Sequence, residues 1–336
     1  MAQGAEAQAD APAAKSKPIT VNVVVSNNLK HTVRGLQASD FTVLDNRRPV
    51  KLTGFRMLDP KGTPGDSLRV VIVLDAINVP PIVVAREREE LNEFLKQDSG
   101  QLENPTSIAL LTEDGIKAQQ GATRDGKALL EALNKVHPGL RTEGRSAGFW
   151  GAADRFNMSL EQLRKLAAYE ATVPGRKMIL VVGPGWPLLP WSGEQSGLKA
   201  RQWAFANVVQ FTNGLREANI TLYCLDPYEL GRTDPFYYQE YLKPVKEMKN
   251  AEYANLSLQV LAEHSGGQVL INGHDVQGEL NEALRDAGAS YELTFEAAPG
   301  DRTNEYHALQ VTVGKPGMTV RTVAGYYAHT MTPDAR

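Results

Sequence analysis

The distribution of apolar and polar positions divides the chain into three regions. Between residues 19 and 58, apolar residues recur at nearly every second position, as in Ile19, Val21 and Val23. That period is typical of strands with one buried face. From about residue 68, short continuous apolar runs alternate with segments whose apolar residues recur every three or four positions. The period of two returns after residue 289, so the pattern predicts strand-rich ends around an α/β centre.

The fold class follows from the central region. A continuous apolar run such as residues 68–74 is typical of a strand buried on both faces of a parallel sheet. Strands that alternate with helices favour an α/β fold with a doubly wound, mainly parallel, Rossmann-like sheet. We therefore expect an α/β domain over residues 68–288, inserted into a small β-sandwich formed by residues 19–58 and 289–329. The alternative is that the end strands extend the edge of the central sheet.

The two ends of the chain carry no apolar period. Residues 1–18 are rich in Ala, Gln and Pro, which predicts a flexible leader, and residues 330–336 form a short tail. The leader has no apolar core of a signal peptide, but it is similar to a segment that follows a cleaved export signal. We expect an extracytoplasmic protein, periplasmic or secreted. A cytosolic protein with an irregular terminus is the alternative.

Composition and charge exclude several classes of protein. The 336 residues are 42% hydrophobic and 22% charged, which is ordinary for a folded protein. The formal net charge of -3 provides no overall field that would attract nucleic acid. No apolar stretch is long enough to span a membrane. The single cysteine, Cys224, excludes an internal disulfide.

Motifs for catalysis give little support for an enzyme. The chain has no H-E-x-x-H pair and no P-loop, and none of its six histidines lies four residues from another. The charge run of residues 86–90 is expected to be a solvated helix face. We expect a protein without catalytic activity, and an enzyme with an unrecognised site on the Rossmann-like sheet is the alternative.

The strand LRVVIVLDA, followed by an amphipathic helix, resembles the opening of a von Willebrand factor A-type domain. The flanking segments at residues 35–55 and 291–328 resemble the VWFA-related family known mainly from acidobacteria. The resemblance implies adhesion or protein interaction. It also implies a metal-ion-dependent adhesion site, in which a D-x-S-x-S sequence, a loop threonine and a strand-end aspartate hold a divalent cation.

Several positions of that metal site differ in this chain. Asp75 is retained, but Ile77 and Val79 occupy the two serine positions, and the strand-end aspartate is replaced by residues 183–185, Gly-Pro-Gly. Mg²⁺ and Ca²⁺ need oxygen ligands, which isoleucine and valine lack. One interpretation is a degenerate site without a cofactor, where Asp75 faces the start of the next helix. The other is a non-standard Mg²⁺ or Ca²⁺ site built from Asp75, Asn78 and Thr142.

Aromatic residues are concentrated in three segments that we expect to be loops, at residues 139–155, 183–199 and 226–253. These segments hold three of the four tryptophans. They are predicted to lie at the same edge of the sheet as Asp75, where aromatic rings are suited to recognising a protein, peptide or glycan. The alternative is a small internal core that packs the loops onto the sheet. The candidate binding residues are Trp150, Trp186, Trp191, Phe236, Tyr237 and Tyr238.

Overall fold

The computed structural model describes residues 18–61, 66–119, 121–135, 148–186, 197–229, 237–271, 275–297 and 302–328, without the side chain of Phe149. Thr142, Trp191 and Phe236, three of the candidate residues, lie outside the described residues. No described helix combines the length and the apolar composition needed to cross a membrane.

A seven-stranded, mainly parallel sheet forms the centre of the fold. Its strands are β5 (Leu68–Asp75), β6 (Gln101–Thr112), β7 (Gly115–Ala118), β8 (Thr123–Asp125), β9 (Arg176–Val182), β10 (Ile220–Leu225) and β11 (Val269–Leu270). The strand order is β11-β10-β9-β5-β6-β7, and β8 pairs with β6. The strands from β11 to β6 run parallel, whereas β7 and β8 pair antiparallel with β6.

Helices cover both faces of this sheet because successive residues of each buried strand point to opposite sides. The helices are α1 (Pro81–Lys96), α2 (Gly126–Lys135), α3 (Phe149–Ala171), α4 (Leu198–Glu217), α5 (Leu258–His264) and α6 (Val276–Leu284). Val70 and Ile72 of β5 pack with buried residues of α1, α2 and α6. Val71 and Val73 pack with buried residues of α3, α4 and α5.

Two antiparallel sheets of four strands flank the central sheet. Their strands are β1 (Pro18–Asn27), β2 (Phe41–Asp45), β3 (Arg48–Val50), β4 (Leu52–Leu58), β12 (Ser290–Glu296), β13 (Glu305–Val313), β14 (Met318–Arg321) and β15 (Gly325–Ala328). One sheet has the order β14-β1-β12-β4 and the other β15-β13-β2-β3, so both mix strands from the two ends of the chain. The sheets share one hydrophobic core, which includes Val23, Val43 and Phe295.

One boundary differs from the sequence-based prediction. Residues 139–155 were expected to be a loop, but α3 begins at Phe149 and includes Trp150. Phe156, Leu160 and Leu163 of this helix are buried in the core at helical spacing. The helix continues before this stripe and has Gly148 as its N-cap. Trp150 is therefore held by a helix rather than by a loop.

A buried carboxylate joins the central sheet to the flanking strands. Asp286 accepts hydrogen bonds from the hydroxyl of Tyr223 on β10 at 2.8 Å and from the amide of Gln268 at 3.0 Å. Arg321 of β14 forms an ion pair with the same carboxylate. Because Asp286 is buried, removing it leaves these donors without their shared acceptor.

We therefore predict that Asp286→Ala lowers the free energy of unfolding by about 3–5 kcal/mol, the usual cost of breaking a buried ion pair. Equilibrium urea unfolding measures the change. Glu282→Ala is the control, because it removes an ion pair to the exposed side chain of Lys30, and it is expected to cost about 1 kcal/mol or less. An Asp286→Ala change as small as that of the control would contradict the prediction.

Candidate functional site

The carboxyl ends of the parallel strands meet at one edge of the central sheet, here called the carboxyl edge. Asp75 is the last residue of β5, and Asp226 directly follows β10 at the same edge. In open α/β sheets, ligands bind outside the carboxyl ends of the strands. This edge is the candidate functional site.

The carboxylate of Asp75 closes the turn between β5 and α1. Its Oδ1 accepts hydrogen bonds from the backbone N–H groups of Ile77 and Asn78 at 2.9 and 3.0 Å. Its Oδ2 accepts a hydrogen bond from Asn78 Nδ2 at 2.7 Å, and the same amide nitrogen donates to Ser159 Oγ of α3 at 3.0 Å. The carboxylate is thus fully buried and engaged by the chain that follows it.

The two hydrocarbon side chains that follow Asp75 anchor this turn in the core. Ile77 packs on the face of the sheet that carries α3 and α4, and Val79 packs on the opposite face. Both are fully buried. The turn is therefore held by hydrophobic contacts at the two positions where the metal site of the A-type family has serine hydroxyls.

Gly183 brings the neighbouring strand end directly against Asp75. Its backbone has φ of 146°, and a Cβ at this position would lie 2.9 Å from Cβ of Asp75. Its N–H donates to the carbonyl of Leu225 at 2.8 Å. A side chain at position 183 has no room, so an aspartate could not take this place without movement of the backbone.

The oxygen atoms of Asp75 are engaged by the chain itself at this edge. Asp75 accepts hydrogen bonds from two backbone N–H groups and from Asn78 Nδ2, which also donates to Ser159 Oγ. Within the part of the chain that the structure describes, no group of three or more His, Cys, Asp or Glu residues could hold a metal ion. Thr142, the third residue of the non-standard cation site, lies outside the described residues.

A second buried acid lies behind Asp75. Glu87 of α1 was expected on a solvated helix face, but its side chain is fully buried, and neither carboxylate oxygen has a hydrogen-bond partner among the described residues. Burial, together with the negative charges of Asp75, Asp226 and Glu90, raises the pKa of Glu87 to about 9. Glu87 is therefore protonated at neutral pH, which allows three acids to be buried close together.

The apolar stripe of α1 contains the signal for this burial. Val84, Leu91 and Phe94 are buried, and Glu87 falls between them with the same spacing of three to four residues. Because Glu87 lies within the charged run of residues 86–90, the sequence pattern alone did not reveal that it belongs to the buried stripe. Ser159 and Gln259 were likewise missed, because neither belongs to a motif that points to this edge.

Trp186 does not form part of a surface. Its side chain is only 2% exposed and contacts the ring of Phe156 edge-on, with 6.2 Å between the ring centroids. The segment before it is held by Gln259 of α5, whose amide donates to the carbonyl of Pro184 at 2.8 Å. The expectation that this ring is presented to a partner is therefore wrong, because the ring completes the core beneath its own segment.

The other described rings divide between the core and the surface. Tyr238 is buried, and Tyr237 is half-buried with its hydroxyl 3.3 Å from the amide of Gln259. Trp150 is 68% exposed. Of the candidate aromatic residues that the structure describes, Trp150 alone has a largely exposed side chain.

Two aliphatic residues are exposed at the same edge as Trp150. Ile82 is 78% exposed at the start of α1, and Leu198 is 68% exposed at the start of α4. Both helices, like α3, run antiparallel to the strands they connect, so their amino ends lie at the carboxyl edge. Ile82, Trp150 and Leu198 are called the apolar edge residues below.

One sequence match to a nucleophile motif lies near this edge. Residues 144–148 read G-x-S-x-G, and all except Gly148 lie outside the described residues. The motif positions a nucleophile only on a sharp turn from a strand into a helix. Residues 136–147, which include the serine, lie outside the described residues, so the match carries no argument here.

Comparisons with known proteins give weak similarities. No protein-family profile matches the chain, and no curated protein matches it in sequence. The human COPII-coat protein Sec24c is similar over 78% of this chain and 43% of its own, with 9% identity and a TM-score of 0.31. The TFIIH p34 N-terminal domain is similar over 48% of this chain and 80% of its own, with 13% identity and a TM-score of 0.23. The chain thus spans less than half of Sec24c, and TM-scores this low do not establish a shared fold.

We predict that Asp75→Ala lowers the free energy of unfolding by about 2–4 kcal/mol, because the buried N–H groups of Ile77 and Asn78 lose a charged acceptor. The loss should be the same in EDTA and in millimolar MgCl₂ or CaCl₂. Urea unfolding of both proteins in each buffer measures it. A wild-type protein stabilised by cations, when Asp75→Ala is not, would demonstrate a cation site instead.

We also predict that Glu87 makes stability fall as pH rises. The pKa of Glu87 is about 9 in the folded protein, against an ordinary value of 4.5 that the unfolded chain should have, so the folded state holds one more proton between these values. The free energy of unfolding should therefore decrease through this window, by at most about 1.4 kcal/mol per pH unit.

Glu87→Gln removes this contribution and should flatten the decline, most visibly at pH 8–9. Glu89→Gln on the exposed side of the same helix is the matched control and should follow the wild type. Urea unfolding at several pH values between 5 and 9 compares the three proteins. Parallel curves for Glu87→Gln and the wild type would show that Glu87 is not the group that titrates.

Proposed function

We propose that this protein is a non-catalytic binding module with a doubly wound, von Willebrand factor A-like fold. It recognises a partner protein through apolar side chains at the carboxyl edge and without a coordinated cation. The single observation that carries the proposal is the exposure of Ile82, Trp150 and Leu198 on three helices that begin at this edge.

Exposed apolar side chains are individually common on protein surfaces, and their distribution is what matters here. Among the residues that the structure describes, seven large hydrophobic side chains are exposed, and three of them occupy the first or second position of a helix at the carboxyl edge. The capping positions of these helices are Pro80, Gly148 and Gly197, so the three apolar side chains are not needed to cap them. Large apolar side chains exposed together at one edge are better explained by contact with a partner.

The partner chemistry follows from these side chains. Isoleucine and leucine offer no hydrogen bonds, and an exposed tryptophan is a common anchor in protein interfaces. A protein or peptide with its own apolar surface fits such residues better than a glycan, whose hydroxyl groups would remain without partners. The closed turn at Asp75 supports the absence of a cation, because its carboxylate oxygens already accept hydrogen bonds from the chain.

The site of action remains a proposal from the sequence. We expect the protein to act outside the cytoplasm, because its leader is similar to a segment that follows an export signal. Membrane and periplasmic proteins are therefore the first partners to test.

We predict that Trp150→Ala combined with Leu198→Ser weakens partner binding by at least tenfold, since central apolar anchors dominate the free energy of binding, with about 2 kcal/mol or more each. Immobilised wild-type and variant proteins are incubated with solubilised envelope proteins in EDTA. Retained proteins are identified, and the affinity of each is then measured by calorimetry.

The matched control combines Tyr169→Ala with Leu29→Ser. Tyr169 lies near the opposite end of α3 and Leu29 lies in a turn of the flanking strands, and both side chains are exposed. The control should bind as the wild type does. Equal loss in both variants, or binding that requires Mg²⁺, would contradict the proposal.

A further inference from the structure

A polar cleft lies at the edge of the central sheet opposite the carboxyl edge. It has a volume of about 320 Å³ and is bordered by the amino-terminal parts of β5 and β6 and by the last turns of α1 and α6. Small-molecule sites have volumes of about 300–1,000 Å³, so a ligand of one or two rings fits this space. None of the apolar edge residues lines it, so the cleft is separate from the proposed binding surface.

An irregularity in β6 directs a buried amide into the cleft. Gln101 of β6 pairs with Asp125 of β8, and Thr106 pairs with Thr123. Gln101 and Thr106 are five positions apart on β6, whereas their partners are only two positions apart on β8, so β6 contains a bulge. Asn104 lies in this bulge, before Pro105, and the hydroxyl of Thr106 donates to its backbone carbonyl at 2.9 Å. Bulges often occur beside binding sites, because they redirect a side chain out of the regular pleat.

The side chain of Asn104 has capacity for hydrogen bonds that the protein does not use. The residue is only 7% exposed, and it lines the cleft. No hydrogen bond of its carboxamide joins it to any other described residue. An amide that faces a cleft without a protein partner offers a ligand both a donor and an acceptor at this position.

The rest of the lining favours a neutral ligand rich in hydroxyl groups. Four carboxamides border the cleft, from Gln97, Gln101, Asn104 and Asn281, and each combines a donor with an acceptor. Asp98 and Arg285 add one charge of each sign, and the charge of Glu103, which also borders the cleft, is paired with Lys61 at 2.8 Å. Ile72, Phe94 and Leu284 provide an apolar floor against which the C–H groups of a sugar ring can pack.

The helices beside the cleft disfavour an anion. The carboxyl ends of α1 and α6 lie at this edge, and helix carboxyl ends carry a partial negative charge and free carbonyl groups. Those carbonyl groups accept hydrogen bonds from hydroxyls and repel phosphate or carboxylate. We propose that this cleft binds a single neutral sugar residue, with Asn104 as the central hydrogen-bonding group.

The experiment is saturation-transfer NMR with glucose, galactose, mannose, N-acetylglucosamine and cellobiose. Putrescine and inorganic phosphate serve as charged probes without sugar hydroxyls. At least one neutral sugar should bind, and Asn104→Ala should weaken it by about tenfold through loss of its hydrogen bonds. The methyl glycoside of the binding sugar distinguishes a free sugar, whose reducing hydroxyl is needed, from the terminal residue of a glycan.

Two further variants keep the test decisive. Gln101→Ala combined with Asn281→Ala changes exposed side chains only, so the protein should fold normally and still lose sugar affinity. Asn157→Ala, on the exposed side of α3, is the matched control and should bind as the wild type does. The proposal is overturned if no sugar binds, if putrescine or phosphate binds more tightly, or if the cleft variants keep wild-type affinity. Unchanged sugar binding by Trp150→Ala would show that this site is independent of the proposed binding surface.

Discussion

The hydrogen bonds that Asp75 accepts from Ile77 and Asn78 are the interaction on which the carboxyl edge depends. They close the turn from β5 into α1 and allow Ile77 and Val79 to enter the hydrophobic cores on opposite faces of the sheet. A carboxylate that accepts several hydrogen bonds is stable in its charged form even when it is buried. The chain thus uses this aspartate to fix a backbone turn, and Gly183 packs directly against it.

This packing has an electrostatic consequence. Asp75 and Asp226 place two acids at the buried edge, and Glu87 is added from the apolar face of α1. Burial and the charges of Asp75 and Asp226 raise the pKa of Glu87 to about 9, so a proton on Glu87 relieves their repulsion at neutral pH. The edge is therefore compact and closed, and the apolar edge residues lie around it on the helix starts.

The two edges of the central sheet differ in chemistry. The carboxyl edge presents Ile82, Trp150 and Leu198 to solvent, whereas the opposite edge forms a cleft bordered by carboxamides. An apolar surface and a polar cleft suit different ligands, because each must satisfy the groups that it covers. The buried Asp286, which contacts both β10 and Arg321, stabilises the flanking sheets against the scaffold that carries both edges.

The sequence by itself determined the parallel central strands, the helices between them and the strand-rich ends. These features follow from local periods of apolar residues, which are visible without knowledge of contacts. It also showed that positions 77 and 79 carry hydrocarbon side chains, which cannot coordinate an ion. The tertiary structure alone decided which rings are exposed, because the burial of Trp186 depends on Phe156 and on Gln259 far along the chain. It likewise decided the neutral state of Glu87 and the open amide of Asn104, because both result from elements brought together only by folding.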